Sequence, residues 1–365
     1  MRPLEYRRAE DPRRAVTAVA GRPGAMFLGA GTNLVDHLKL GVARPDLLVD
    51  VSHLPYDKIE PRPGGGLRIG AAVRNSDLAA HPLVRQHYPV LAQALLSGAS
   101  PQLRNLATTA GNLLQRTRCP YFQDVTTPCN KREPGTGCSA LEGYNREHAV
   151  LGASEHCVAV HPSDMAVALT VLDAEVRVLG SGGERTIPIT ELYRLPGDRP
   201  DRDTVLKHGD LITAVDLPGL PMAAHSAYRK VRERASYAFA LVSVAAAVQV
   251  RDGAITDARV AFGGLAHKPW RAYRAEEALR GVRVSAAPGD TLAEATTAAP
   301  IAAGGAASTG ENAGGTSTVE DLRAAADAEL ADARPLAHNA FKIPMARNTF
   351  VAVLRGLLRE EGATR

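Results

Sequence analysis

The residues best suited to chemistry in this chain are its four cysteines. All of them fall between Cys119 and Cys157, in the pattern C-x9-C-x8-C-x18-C. Random placement would crowd four cysteines into so short a window in about half a percent of cases, so the cluster calls for a cause. The rest of the chain has none, which argues against cysteine serving as a general small hydrophobe. Four readings compete. Disulfides suit small secreted domains, and a long chain without a secretory signal pattern has little need of them. Structural zinc usually takes two ligands two to four residues apart, and no such pair exists here. Inert core thiols are the plain alternative. A four-thiolate iron–sulfur cluster accepts wider spacing, because its core is larger than one ion and its ligands converge from a loop. Arg116, Arg118, Lys131 and Arg132 lie beside the cysteines, and nearby cations favour thiolate.

Two small-residue loops offer a different chemistry. Phe27-Leu28 runs into Gly29-Ala30-Gly31-Thr32-Asn33-Leu34, where bare backbone amides, a hydroxyl and a side-chain amide suit a pyrophosphate. A dinucleotide-fold reading is open, with Asp50 about where a ribose-binding acid would sit. Leu34 at the third glycine position weakens it, and an ordinary turn is the bland alternative. Thr108-Thr109-Ala110-Gly111-Asn112 repeats the polar, small-residue character just before the cysteine segment. Ser163 and Asp164 close that segment and can either cap the next helix or meet a ribose or ribityl hydroxyl.

The elements that must position these groups read as follows. Met26 to Leu28, Leu47 to Val51, Leu67 to Val73, Val176 to Leu179 and Leu211 to Leu217 have strand character. Leu83 to Leu96 reads as a helix interrupted at Pro89 and stopped at Gly98, and Met165 to Leu172 as an apolar helix. Between Ser100 and His161 the periodicity fails, and so long an irregular stretch usually has a function or is held by a ligand. Pro218 and Pro221 mark a domain boundary near residue 220. Beyond it, Phe239 to Val250 is one long apolar run. Residues 286–318 are low-complexity Ala, Gly, Thr and Ser, expected to form a mobile insertion. Ser317 with Glu320 fits a capping box, and Phe350, Leu354, Leu357 and Leu358 share one face of a final helix.

Composition excludes several classes. The chain has 365 residues, 45% hydrophobic and 22% charged, the profile of a globular protein of two domains or so. Its 43 basic residues are interleaved with 39 acidic ones for a net charge of +4, with no basic stripe for nucleic acid. No apolar run reaches the roughly 20 residues of a membrane span.

Taken together, the stretches FLGAGTNLVDHLKLG (27–41), RNLATTAGN (104–112), QRTRCPYFQD (115–124), CNKREPGTGCSALEGYNREHAVLG (129–152), CVAVHPSDMAVAL (157–169), YRKVRERASYAFALVSVAAAV (228–248) and GGLAHKPWRA (263–272) carry a resemblance. The chain resembles the FAD-binding subunits of the xanthine dehydrogenase family of molybdenum hydroxylases. Within them it is similar to the iron–sulfur-containing flavin subunits of bacterial periplasmic aldehyde oxidoreductases. The resemblance implies an α+β protein: a PCMH-type FAD-binding fold of two α/β subdomains over 1–220, with a [4Fe–4S]-binding insertion at about 113–160. A C-terminal α+β domain of the CO dehydrogenase flavoprotein type would follow over 221–365, and the Rossmann reading would fall.

The resemblance also implies roles. Phe27, Leu28, Gly29, Ala30, Gly31, Thr32, Asn33 and Leu34 would wrap the FAD diphosphate, with Thr108, Thr109, Gly111 and Asn112 on the other side. Asp164 would meet the ribityl chain, Ile212 the isoalloxazine and Lys230 the flavin's polar edge. Cys119, Cys129, Cys138 and Cys157 would ligate a [4Fe–4S] cluster. Thr109-Ala110-Gly111 departs from the family's commoner Ile-Gly-Gly. The implied partners are a molybdenum-cofactor large subunit and a [2Fe–2S] small subunit in a heterotrimer. Electrons would pass through FAD to an external acceptor; the alternative is a stand-alone PCMH-class FAD oxidoreductase. The expected location is cytoplasmic, or periplasmic by co-export with a signal-bearing partner.

Overall fold

The computed structural model describes residues 2–284 and 319–363, with side chains described as far as Arg359. The 286–318 insertion and the Ser317 cap expected from sequence lie outside the described residues.

The first of three sheets has Leu47–Asp50 at its centre, flanked in parallel by Glu5–Arg8 and Ala25–Leu28. Parallel neighbours need crossovers, and the helices Pro12–Ala20 and Leu34–Leu40 supply them. Asp11 caps the first helix by accepting from the Arg14 amide, with Pro12 just inside. Gly41, at φ +73°, ends the second in the left-handed conformation that suits glycine. Asp50 is spoken for: its carboxylate accepts from Tyr6 Oη at 2.6 Å and from Ser52 N and Oγ at 2.9 and 2.6 Å. It is therefore tied into its own turn and not free to bind a ribose.

The second sheet is antiparallel, in the order Ile59–Pro61, Leu67–Gly70, Leu211–Leu217, Glu175–Gly180, Gly183–Pro188. Helices Asn75–Ala80, Pro82–His87, Pro89–Ser97 and Asp164–Val171 pack into its core. The single interrupted helix expected over 83–96 is two helices, because Pro82 and Pro89 each open a first turn where a missing N–H costs nothing.

The third sheet, Trp270–Arg271, Ala254–Gly263, Val242–Arg251, Ser226–Val231, is also antiparallel. Its strand Val242–Arg251 is buried on both faces from Val242 to Val248. Val244, Ala246 and Val248 join the C-terminal core with Tyr273–Leu279, Val319–Leu330 and Lys342–Ala363, while Ala245 and Ala247 join the core of the second sheet. The alanines keep that face thin, so helices Pro89–Ser97 and Asp164–Val171 approach closely. Burial on two faces explains why the sequence shows a continuous apolar run instead of alternation.

Between these units runs the cysteine segment, which holds itself by side-chain-to-backbone bonds. Asn130 Oδ1 accepts from the amides of Gly135 and Gly137 at 3.0 and 2.8 Å. Arg132 donates to the carbonyls of Tyr121 and Phe122, both at 2.8 Å, and to that of Thr127. Among the described residues, no helix is long and apolar enough to cross a membrane.

Candidate functional site

The strand Ala25–Leu28 delivers the loop Gly29–Asn33 to the mouth of a cavity of about 550 Å³. Phe27, Gly29 to Leu34, Thr108, Gly111 and Ile212 line it, with Ser52, Tyr56, Lys207 and His208. A second cavity of about 430 Å³ is lined by Asn112, Asp164, Lys230, Arg118, Tyr237 and Phe239, among others. Both are of ligand-binding size. Thr32, Asn33 and Gly111 line both cavities, so these form two lobes of one cleft with a waist between them.

The waist needs small residues. Gly31 sits at φ +76°, and a Cβ there would meet Val35 Cγ2 at 2.8 Å. A Cβ on Gly29 or on Gly111 would crowd Thr108 Oγ1, at 3.3 and 2.9 Å. Thr108 itself caps the helix Thr109–Leu113 by accepting from the Gly111 amide. Small side chains thus bring two loops, about eighty residues apart in sequence, close enough to grip a thin polar group from both sides.

Not every expected residue faces the cleft. Leu28 and Thr109 line neither lobe; Thr109 Oγ1 donates to the Val73 carbonyl at 3.0 Å and fixes the loop instead. Asn33 accepts from the Arg116 amide at 2.9 Å, and Asn112 accepts from Ser163 Oγ at 2.6 Å. Both amides therefore bind the loops to the cysteine segment and its exit. Ser163 caps the helix Asp164–Val171 through the Ala166 amide, at 3.0 Å. Asp164 receives Tyr228 Oη at 2.5 Å and Lys230 Nζ at 2.8 Å, and Lys230 also reaches the Ser97 carbonyl at 3.2 Å. Ile212 lines the first lobe, whereas Asp164 and Lys230 line the second, so the structure separates them.

The cysteine loop forms the floor beside this cleft. Phe122, buried, meets His37 edge-on at 5.6 Å and carries the Arg116 guanidinium over its ring at 4.6 Å. All four cysteines are free thiols, which removes the disulfide reading. Cys129 and Cys138 pair across an isolated antiparallel bridge. The Cys157 thiol donates to Cys138, which drives Cys138 toward thiolate against burial, helped by the amides of Ala140, Val158 and Leu141. The same bond and burial push Cys157 up, while Lys131 opposes them. Burial pushes Cys119 up to about 11; the amides of Phe122 and Tyr121 favour its thiolate, and Cys129 and Cys138 are close enough to disfavour it. Among the described residues, no group of three or more His, Cys, Asp or Glu is placed to hold a metal ion, so the thiols do not enclose a single-ion site.

The cations flanking the cysteines divide their work. Arg132 braces carbonyls. Arg116 Nε and Lys131 Nζ both bind Asp203, at 2.6 and 2.5 Å. Against the upward push of burial, these two cations hold the Asp203 carboxyl well below its usual range. One ion knot thus joins the cleft wall to the cysteine loop. Sequence reading missed Asp203, because nothing local marks an aspartate more than 70 positions from its partners.

Residues 2–220 match the family described as the FAD binding domain in molybdopterin dehydrogenase, and residues 226–309 match the CO dehydrogenase flavoprotein C-terminal domain. The aldehyde oxidoreductase FAD-binding subunit PaoB of Escherichia coli (strain K12) is 48% identical over 355 residues, covering 97% of this chain and 98% of that protein. This chain belongs to the FAD-binding subunits of the molybdopterin dehydrogenases. It is an oxidoreductase flavin subunit of the medium-chain kind. The glyceraldehyde dehydrogenase medium chain of Sulfolobus acidocaldarius is 25% identical over 282 residues, 77% of this chain and 83% of that one. Two solved structures share the fold. Quinoline 2-oxidoreductase from Pseudomonas putida 86 matches with a TM-score of 0.69 at 19% identity, over 98% of each chain. Carbon monoxide dehydrogenase from Hydrogenophaga pseudoflava matches at 0.68 and 21%, over 97% of this chain and 96% of that one. The α+β architecture implied by the resemblance is met, and the Rossmann reading is set aside.

Proposed function

We propose that this subunit holds one extended FAD across the two-lobed cleft, with the diphosphate at the waist of Thr32, Asn33 and Gly111. We further propose that it carries a [4Fe–4S] cluster on Cys119, Cys129, Cys138 and Cys157. In this reading it receives electrons from a molybdenum-cofactor large subunit through a [2Fe–2S] small subunit, in a heterotrimer, and gives them to an external acceptor. The observation that carries it is the waist: two ligand-sized lobes meet at small residues, the shape an extended dinucleotide needs. The cysteine loop supports the cluster. Its donors are four free thiols with backbone amides aimed at the sulfurs of Cys119, Cys138 and Cys157. Four thiols carried on one irregular segment suit a core with an iron at each of four corners.

When bound, FAD supplies exchange between one-electron and two-electron chemistry, and the cluster a one-electron centre. The chain's own residues bind and orient. Gly29, Gly31 and Gly111 admit the thin diphosphate; Asp164 and Lys230 fix polar groups in the second lobe; Phe122 and the Asp203 knot hold the two sites at a set separation. The domain division at about 220, with the cluster-binding segment at 113–160 inside the first part, belongs to the same proposal. The compartment would follow the partners, in the cytoplasm or by co-export to the periplasm. The stand-alone reading is disfavoured, because a relative similar over almost the whole chain is itself a subunit.

Tagged full-length chain isolated from its native cells should bring two further polypeptides in equal amounts, one assaying for molybdenum and one for iron. A lone flavoprotein oxidising a small substrate unaided would overturn the reading. Gly31→Val should weaken FAD by tenfold or more, roughly 1.4 kcal/mol, since a branched side chain at positive φ is strained besides clashing with Val35. Flavin released per chain on heating measures this; unchanged flavin content would move the diphosphate elsewhere. Cys129→Ser should lower iron and loosen the 115–160 loop while leaving FAD in place. Full iron retention in that variant would contradict the ligand set.

A further inference from the structure

Beside Cys119 stands a histidine that the proposed function does not use. His148 Nε2 lies 3.2 Å from Cys119 Sγ. The ring is 3% exposed, and its Nδ1 has no partner. Two nitrogens with one ring proton face a choice, and the environment makes it. A bare buried N–H is costlier than a bare lone pair, so the proton belongs on Nε2, opposite the sulfur.

The ring is also held from behind. The His148 carbonyl accepts from Lys342 Nζ at 2.9 Å and from Asn339 Nδ2 at 3.1 Å, while its amide donates to the Asn145 carbonyl at 3.1 Å. Asn339 and Lys342 are both fully buried. Residues of the C-terminal helical region therefore aim a side chain at a cysteine more than two hundred positions earlier. Cys119 also has a special place. Of the four cysteines it alone lines the small cavity, about 40 Å³, that His148 shares with Asp164 and Phe239 of the second lobe.

We propose that His148 is a positioning residue for the cluster: its Nε2–H donates to the Cys119 thiolate, orients that corner beside the flavin lobe and raises the cluster's reduction potential. The idea rests on the four-cysteine reading above. A thiolate can only accept, so ligation leaves Nε2–H as the donor. A hydrogen bond to sulfur stabilises the more negative, reduced cluster over the oxidised one, which raises the potential.

The test uses the assembled complex. Iron and acid-labile sulfide in the wild type come first: their absence would sink the four-cysteine reading itself. His148→Phe keeps the shape and removes the donor. It should retain full iron while the midpoint, read from the reduced-cluster electron paramagnetic resonance signal, becomes more negative by about tenfold in the reduction equilibrium, about 59 mV for one electron. His148→Gln, which restores a donor, should recover part of that shift. An unchanged midpoint at full iron in His148→Phe would overturn the role of His148 and leave the cluster standing. Should that variant lose iron, wild-type complex labelled with 15N-histidine decides instead. A nitrogen coupling to the reduced cluster supports the bond, and none refutes it.

Discussion

Lys342→Met should destabilise the chain by about 3–5 kcal/mol. Lys342 is fully buried, and its Nζ donates to the carbonyls of Glu147, His148 and Gly264 at 2.9, 2.9 and 2.7 Å. Methionine fills much the same volume, so the loss is polar. His148 keeps its bond from Asn339, but the buried Gly264 carbonyl loses its donor, at about 1–3 kcal/mol, and the part-buried Glu147 carbonyl loses a bond from a charged donor, at about 1.5–3 kcal/mol. With an unfolding entropy of about 2.1 cal/mol/K per residue, a chain of 365 residues shifts by about 1.3 °C per kcal/mol, so the unfolding temperature should fall by roughly 4–7 °C. The effect should also spread in a defined direction. Amides near 147–150 should exchange with solvent faster, because these carbonyls anchor the cysteine loop to the C-terminal helix. Thermal unfolding of the variant beside the wild type checks the first part and hydrogen exchange the second. An unchanged unfolding temperature would mean that the lysine is not the buried tie the geometry shows.

Acid should unfold the protein well before its carboxylates protonate. Burial, with Arg116 and Arg118 adding, holds His37 down at about 4. Burial also holds His161 at about 4 and, with Lys131 adding, His267 at about 3. An ordinary histidine titrates near 6.5, so these rings are neutral in the fold and charged in the unfolded chain between about pH 6.5 and 4. The sign follows from proton counting. Where the unfolded state binds more protons, stability falls as pH falls, by about 1.4 kcal/mol per pH unit per proton. Three such histidines give a slope near 4 kcal/mol per pH unit around pH 5, and their stabilisation is fully present above about pH 6.5. Asp203 adds little in this window, since its contribution is fully present above the ordinary carboxylate pKa and is lost as pH falls through that value toward the depressed one. Urea unfolding at pH 7, 6 and 5 should show the steep fall, and His267→Gln should flatten it by about one proton. A stability that stays level between pH 7 and 5 would contradict the neutral, buried state of these rings.

Much of the cleft was legible in the chain because its requirements are local. The loop 29–33 and the run 108–112 advertise themselves by small residues and hydroxyls, and the geometry uses those properties at the waist. The strands Ala25–Leu28, Leu47–Asp50 and Leu211–Leu217 were readable because apolar runs end at turn residues. The cysteine segment was readable as irregular, yet what shapes it was not. Asn130, Arg132 and Asn145 close it by bonds to backbone groups, and no periodicity marks a side chain that will find a carbonyl. Longer-range ties were hidden for the same reason. Asp203 meets Arg116 and Lys131, His148 meets Cys119, and Lys342 meets Glu147 only after the whole topology is in place. Local charge was only partly informative: Lys131 does favour the Cys157 thiolate, but Arg116 and Arg132 face a carboxylate and carbonyls. Ile212 shows a further limit, since its lobe depends on which strand neighbours it across the second sheet.

The most direct test is the ratio of flavin to iron to acid-labile sulfide in the full-length chain, purified without oxygen. A two-site subunit should yield one FAD, about four iron and about four sulfide per polypeptide, and all four cysteines should become alkylatable only after the iron is removed. One FAD with no iron, and thiols that alkylate freely in the folded chain, would show that the cysteines hold nothing.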